Sequence, residues 1–401
     1  MMQITDASVE EKLPPLLRLA FRPFFLAGSA FSVIAILVWW LSFAGKIQFM
    51  PYGGGLWWHM HEMLFGFVAA IIAGFLLTAV QTWTGLRGLH GNKLLALFLL
   101  WLVARILMVV DLGELRWLAM AIDLLFLPTV ALVMANFVYR VKQWRNLVFT
   151  PLLLGLTLAN LLMHLAITGH MANGMMIGSH LAVLLITLVV FVVGGRVIPF
   201  FTSRACQFEK PQPLFWLEAL GALSLLAIVV LLLASNWWSP ERTVIATLWT
   251  VFGVSQLIRM ARWRPHVTLK VPLLWSLHLS YLFIPVGALL AAAYYLGQVY
   301  SMSPAIHALT VGGMGSLILA MLARVSLGHT GRPLQPHPQM SFAFVLLLAA
   351  AVLRSLLPAV MPQWLMWSIG GSALTWILGY GLFLLHYTKV LSTPRADGRP
   401  G

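Results

Sequence analysis

Two histidines and a carboxylate stand together at the start of a long apolar run, in the stretch GGGLWWHMHEMLFGFVAA at residues 53–70. Imidazoles bind copper, zinc or haem iron, and a carboxylate in an apolar site can take up and release protons. His59, His61 and Glu62 are therefore candidates for metal binding and proton transfer. Because ionisable groups are costly inside a bilayer, each one that a chain keeps there is a functional hypothesis.

The elements that must position these residues are transmembrane helices. The chain has 401 residues, of which 61% are hydrophobic and only 9% are charged, whereas about a quarter of a typical soluble chain is charged. Apolar runs of about 20 residues recur, and each is long enough to cross the roughly 30 Å hydrocarbon core. The composition predicts an all-α polytopic membrane protein, with residues 1–401 forming one integral membrane domain and no soluble domain.

Twelve spans are predicted, and the first is expected to be retained because it lacks the small-residue cleavage site of a signal peptide. Their expected residues are 21–44, 60–82, 93–111, 116–139, 148–168, 175–197, 214–234, 241–262, 272–296, 303–324, 341–361 and 364–388.

Basic residues indicate the orientation of these spans. The N-terminus, the even-numbered loops and the C-terminus hold twenty Lys and Arg, whereas the odd-numbered loops hold three. Only Arg105 and Arg354 are placed inside spans. By the positive-inside rule both termini are cytoplasmic, in a bacterial inner membrane. The net charge of +14 is thus explained by orientation and not by nucleic-acid binding, and the single cysteine, Cys206, excludes an intramolecular disulfide.

A weak repeat links three of the spans. Spans 2, 6 and 10 begin with His61, His180 and His307, and each is followed after 22 or 23 residues by a threonine near the cytoplasmic side. Recurrence every four spans favours a pseudo-threefold arrangement of three four-helix units. Chance similarity is the alternative, because identity among the three segments is low.

Most buried ionisable residues fall at one depth, in the outer third of the predicted bilayer. Histidines from several spans at one depth predict a shared metal site, with His61, His180 and His307 as ligands. His59, reaching in from the loop, and His164 would complete a second metal or an axial position. Arginines at this depth, Arg105 and Arg354, could bind the propionates of haem, although Arg105 and Asp123 could equally form a simple ion pair.

The motifs RPFFLAG, WHMHEMLFGFVAAIIAGFLLTAVQTWTG, GGRVIPFFT, LHLSYLFIP and HALTVGGMGSLILAMLARVSLGHTGRP resemble the NnrS family over essentially all spans. The resemblance implies a twelve-span bacterial inner-membrane protein containing haem b and copper. It also implies an association with nitric oxide metabolism, denitrification and nitrosative stress. The residues on the matching motifs are His59, His61, Glu62, Arg196, His278, His307, Arg324, His329 and Arg332. The architecture loosely resembles the haem–copper oxidases, but the adjacent His-His pair of that group is missing.

The first functional hypothesis is a haem- and copper-binding protein that reduces, detoxifies or senses nitric oxide, with Glu62 supplying protons. If the protein turns over nitric oxide, it requires an external electron donor. Its expected cofactor-binding residues are His59, His278, His329, Arg105, Arg354 and Arg196, and its expected metal ligands are His61, His180, His307 and His164. The alternative is a twelve-span transporter of a small molecule or copper, which should show discontinuous helices and a midplane site. A membrane anchor for regulatory partners is a third hypothesis. Lipid surrounds the protein in all three, and the sequence does not indicate its oligomeric state.

Overall fold

The computed structural model describes residues 12–399, and these residues form helices and turns without a β-strand. Eleven of the helices are long and apolar enough to cross a membrane. The third predicted span forms a helix of 17 residues, at the short end of what a bilayer requires. The predicted all-α polytopic fold is confirmed. The long helices are α1 Phe21–Phe43, α2 Gly55–Thr84, α3 Gly91–Leu107, α4 Arg116–Arg140, α5 Phe149–Ile167, α6 Gly174–Ala205, α7 Phe215–Ala234, α8 Arg242–Ala261, α9 Pro272–Tyr295, α10 Ser303–His329, α11 Pro338–Val360 and α12 Leu365–Ser392.

Several helices extend beyond the predicted spans. Helix α2 begins at Gly55, directly after two glycines with positive φ, so His59 lies inside the helix and not in the preceding loop. Helix α6 continues to Ala205 and includes Arg196, which the sequence had placed in a loop. Helix α10 ends at His329, which was expected in a turn. Apolar patterning marks where a helix enters lipid, but the backbone continues to hydrogen-bond beyond that point.

Three of the spans contain π-helical segments, which apolar patterning does not reveal. They cover Glu62–Val68 in α2, Ala308–Ser316 in α10 and Val352–Leu356 in α11. Such segments are frequent at functional sites, because the wider turn displaces side chains and changes the carbonyl pairing. In α2, the Gly66 carbonyl accepts a hydrogen bond from Nε1 of Trp101, which lies in α3, at 2.8 Å. The pseudo-threefold repeat stays a prediction.

The chain forms two compact units. The first comprises the residues up to Ala182, Leu322–Gln335 and the residues from Tyr380 onward, and the second comprises Val183–Met321 and Pro336–Gly379. In the first unit α6 packs closely on α5, since a Cβ at Gly178 would lie 2.5 Å from the Ala159 carbonyl oxygen. This contact positions the helix that carries His164. That the two units act as one membrane domain stays a prediction.

The glycines of VGGMG lie in the second unit. From the sequence they could serve either close helix packing or the binding of a flat ligand against the backbone. A Cβ at Gly312 would lie 2.3 Å from the Phe283 ring, and one at Gly313 would lie 2.3 Å from Ile284. Side chains of α9 thus cover this face of α10. The glycines serve helix contact, as small residues commonly do in membrane proteins.

Candidate metal centre

Three buried side chains from three helices converge in the first unit. His61 of α2, Asp123 of α4 and His164 of α5 each offer one ligand atom, and these atoms all lie within 4.8 Å of one another. Their exposed fractions are 0%, 3% and 0%. Within residues 12–399 this is the one group of three or more His, Cys, Asp or Glu side chains close enough to hold a metal ion. We call His61, Asp123 and His164 the His–Asp cluster.

Aromatic packing fixes the imidazole of His61. Its ring stacks on Trp57, four residues earlier in α2, with centroids 4.3 Å apart and planes 12° apart. The Trp57 indole donates to the Met163 carbonyl at 3.0 Å, which joins α2 to α5 one residue before His164. The other nearby ring is Phe65, at 5.1 Å. The sequence neighbours of His61 therefore set its orientation.

Both ring nitrogens of His61 lie within hydrogen-bonding distance of oxygen atoms. Nδ1 lies 2.8 Å from Glu62 Oε1, while Nε2 lies 2.8 Å from Asn160 Oδ1 and 3.2 Å from Asp123 Oδ2. When Nδ1–H donates to Glu62, the Nε2 lone pair faces Asp123 and Asn160. A carboxylate on the far nitrogen of a histidine is the usual arrangement around metal ligands, because it fixes the tautomer and raises the basicity of the ring.

His164 has a comparable partner in the loop before α2. Its Nε2 lies 3.2 Å from Asp123 Oδ2, and its Nδ1 lies 3.0 Å from the Tyr52 hydroxyl. Burial raises the pKa of Tyr52 to about 12, so the phenol stays protonated at neutral pH. A phenol oxygen can accept from Nδ1–H, and Nε2 then remains available to a metal.

The charges around the cluster favour a cation. Arg105 of α3 donates from Nη1 to Glu62 Oε1 and from Nη2 to Asp123 Oδ1. With neutral imidazoles, two ionised carboxylates and one guanidinium leave a formal charge of −1. Glu62 Oε2 is buried and has no hydrogen-bond partner among the described residues. Surplus buried acceptors of this kind are costly unless a proton or a cation is present.

The donor set fits some metals better than others. Two imidazoles and one carboxylate, with no thiolate, suit copper, zinc or ferrous iron, whereas calcium and magnesium prefer oxygen ligands. Haem does not fit at the His–Asp cluster. Trp57 covers one face of the His61 ring, and Asp123 and Asn160 lie where a porphyrin plane would be needed.

A separate buried histidine in the second unit has one ring nitrogen without a described partner. His278 of α9 is 2% exposed, and its Nε2 lies 2.9 Å from Thr202 Oγ1. Its Nδ1 is buried with no hydrogen-bond partner among residues 12–399. A buried imidazole with one nitrogen held and the other unpartnered is the state that haem iron or another metal requires of a single ligand.

The other predicted site residues lie in different surroundings. His59 stacks on Trp39 of α1, with centroids 4.5 Å apart, so it faces away from His61 within the same helix. His180 is half-buried in α6 and does not belong to the His–Asp cluster. In the second unit the Nδ1–H of His307 donates to the Ser303 carbonyl at 2.8 Å.

Elsewhere in the first unit, the His329 ring contacts Phe21, with centroids 5.5 Å apart, and the His329 carbonyl accepts from Arg395. The C-terminal turn there is closed by Asp397, whose pKa is lowered to about 2 mainly by the hydrogen bonds from Arg395.

Sequence reasoning missed three members of the site. Asp123 had been weighed only as an ion-pair partner of Arg105, and it bonds both Arg105 and the two histidines. Asn160 and Tyr52 were not singled out. Their signals were present, since Asn160 lies one helical turn before His164 and a lone Asn in an apolar span is costly unless it is paired.

Sequence reasoning also placed Arg259 among the loop residues, and this was wrong. It is 5% exposed inside α8. Its Nε and Nη2 donate to the two carboxylate oxygens of Glu218 in α7, at 2.8 and 2.6 Å. Its Nη1 donates to the Phe191 carbonyl and the Tyr281 hydroxyl, both at 2.9 Å. Gly195 makes room for the guanidinium, because a Cβ there would lie 1.8 Å from Nη2. We call Arg259, Glu218, Gln256 and Tyr281 the Arg–Glu cluster.

A family model described as NnrS protein matches residues 15–395 of the 401-residue chain. No curated protein matches the chain.

Proposed function

The chain belongs to the NnrS family, which is linked to nitric oxide, and from this premise we propose that it is a copper- and haem-binding membrane protein that acts on nitric oxide. The observation that supports the proposal is the buried His–Asp cluster with its surplus negative charge. Copper is one of the metals that two imidazoles and a carboxylate suit, and it is the one proposed here. The proposed role is reduction, detoxification or sensing of nitric oxide in denitrification or nitrosative stress.

Each side chain has a stated task in this proposal. His61 and His164 bind the metal through Nε2, and Asp123 supplies one carboxylate oxygen. Glu62 holds Nδ1–H of His61, while its second oxygen, which has no partner among the described residues, can hold a proton. A copper ion held there would bind nitric oxide and exchange one electron with it.

Haem b is proposed at His278, because its Nδ1 is the buried, unpartnered imidazole nitrogen of the second unit. His180 and His307 stay proposals as metal ligands. The residues that stay proposals for cofactor binding are His59, His329, Arg105, Arg196 and Arg354. An electron donor from outside the chain is required if nitric oxide is reduced repeatedly.

The positive-inside pattern supports a bacterial inner-membrane location with cytoplasmic termini. In that orientation His61, near the start of α2, lies in the periplasmic half. The same cluster could instead pass copper through the membrane, as a transporter would.

The deciding experiment measures metal content and the visible spectrum of the purified full chain. The proposal predicts about one copper per chain, a Soret band, and a shift of that band when nitric oxide is added to the reduced protein. His61→Ala and His164→Ala should each lose copper and keep the Soret band, whereas His278→Ala should lose the Soret band and keep copper.

His170→Ala is the matched control, since His170 is exposed in a loop of the same unit. It should retain both cofactors. A colourless preparation without metal would contradict the proposal, and copper uptake into vesicles would then favour the transporter.

A further inference from the structure

Arg105, Arg259 and Arg354 all lie within the long helices, and their partners differ. Arg105 and Arg259 each donate to carboxylates of the protein. No described carboxylate lies in a salt bridge with Arg354. A guanidinium within the bilayer normally has an anionic or carbonyl partner, because leaving it unpaired costs several kcal/mol.

Arg354 has one weak hydrogen bond. Its Nη2 donates to the Ser303 hydroxyl at 3.3 Å, whereas Nη1 is buried and has no acceptor among residues 12–399. A guanidinium offers a fork of parallel donors that matches two oxygens of one anion. Of the two terminal nitrogens, Nη2 therefore donates to a neutral hydroxyl, and Nη1 has no described acceptor.

Arg354 lies in an irregular part of its helix. The residue lies in the π-helical segment Val352–Leu356 of α11. Hydroxyls of α12 cover the neighbouring carbonyls, with Ser372 donating to Ala350 at 3.0 Å and Ser368 donating to Leu353. The irregular turn is thus stabilised by dedicated polar contacts, which is how such segments persist at functional positions.

The end of α10 supplies the remaining polar groups. Ser303 begins α10 and is half-buried, and the Ser303 hydroxyl lies 3.3 Å from His307 Nδ1. Arg354 lies six residues before Val360, about 9 Å from that end of α11 at 1.5 Å per residue. The long side chain can carry its charge toward the headgroup region while its stem stays among apolar groups.

We propose that Arg354, Ser303 and His307 form a binding site for a carboxylate or a small oxyanion at this end of the second unit. The anion would accept from Nη1 and Nη2 of Arg354 as a bidentate partner, in the way that Glu218 accepts from Arg259. The site shares no residue with the His–Asp cluster, so the anion proposal and the metal proposal can be disproved separately.

The test is anion binding by the purified full chain in detergent, at constant ionic strength. Acetate, nitrite and phosphate are titrated separately, and the shift in unfolding temperature gives the affinity. Native mass spectrometry of the same samples detects an anionic lipid or a carboxylate cofactor that stays bound. Vesicles of phosphatidylglycerol against phosphatidylcholine distinguish a lipid phosphate as the source.

Arg354→Gln should weaken the anion effect about tenfold or more, as expected when a charged hydrogen bond is lost, and Arg354→Lys should retain part of it. Arg242→Gln is the control, because Arg242 in the same unit is exposed and donates only to the carbonyls of Tyr294 and Tyr295. An anion effect through any of the three sources that depends on Arg354 supports the site. Equal anion effects in the wild type, Arg354→Gln and Arg242→Gln, or no anion effect from any source, would overturn it.

Discussion

The His–Asp cluster with its neighbours Glu62 and Arg105, and the Arg–Glu cluster, are both polar groups around one buried arginine, but their balance of charge differs. Arg259 donates two hydrogen bonds to one carboxylate, that of Glu218. Its third nitrogen, Nη1, donates to the Phe191 carbonyl, Gln256 Oε1 and the Tyr281 hydroxyl. Positive and negative charges cancel there. Such a cluster is complete as folded, and we infer that it joins α7, α8 and α9.

Arg105 instead meets two carboxylates, and those carboxylates also face two imidazoles. Two carboxylates face one guanidinium, and Glu62 Oε2 has no described partner. A cation or a proton is needed to complete this cluster. The comparison teaches that a balanced buried network indicates structure, whereas a surplus of one charge indicates a binding site.

The largest difference should follow from changing one carboxylate to an amide in each cluster. Asp123→Asn removes a ligand charge with little change in volume and should weaken copper binding at least about 100-fold, judged by equilibrium dialysis. Glu218→Gln is the matched change in the Arg–Glu cluster and should leave copper affinity within about twofold while lowering the unfolding temperature. Equal copper affinity in both variants would remove the distinction between the clusters.

Removing each arginine should separate stability from metal binding. Arg259→Gln leaves Glu218 without its arginine and should cost roughly 1–2 kcal/mol of unfolding free energy with or without metal. The cost is below that of a fully buried pair because the Glu218 side chain is 30% exposed. Arg105→Gln should destabilise the metal-free protein by a similar amount. Its cost should be smaller in the copper-bound protein, because the cation then balances the carboxylates. The measurement is thermal unfolding with and without a copper chelator, and a metal-independent cost for both variants would contradict the expectation.

Acidification should act on one cluster only. Copper affinity should fall as the pH is lowered, because protons compete with the metal for the imidazoles of His61 and His164. The Arg–Glu cluster contains no histidine. Copper release measured between pH 8 and 5.5 should therefore leave the hydrogen-exchange protection factors around Arg259 and Glu218 unchanged, once the intrinsic pH dependence of exchange is removed.

The smallest effect is expected from one hydroxyl in each cluster. Tyr52→Phe removes the partner of His164 Nδ1 and should weaken copper binding about tenfold, the lower end of what such outer partners contribute. Because the pKa of Tyr52 is raised to about 12, the loss should be the same at pH 7 and pH 8.5. Tyr281→Phe removes the hydroxyl that donates to Gln256 Oε1 at 2.8 Å, and it should leave copper binding unchanged. A strong pH dependence of the Tyr52→Phe defect would show that the phenol acts as an acid.

The helices could be predicted closely because their cause is local. Long apolar runs bounded by Gly, Pro and charged residues specify transmembrane helices whatever packs against them. The helices α4, α5, α8 and α9 begin and end within one residue of the predicted spans. The π-helical segments could not be predicted, because they depend on partners such as Trp101 and Ser372 that lie on other helices.

By itself, the sequence determined the membrane-spanning helical fold, the family, and a set of histidines of which two, His61 and His164, lie together. Depth in the bilayer could be read from the chain because each residue adds about 1.5 Å along a helix axis. Only the tertiary structure decided which side chains meet at a given depth, since rotation about each axis and the choice of neighbouring helix depend on packing of the whole. For this reason Asp123 lies beside the histidines and His59 stacks on Trp39. The stretch GGGLWWHMHEMLFGFVAA contributes one imidazole to the His–Asp cluster and, in Glu62, the carboxylate beside it.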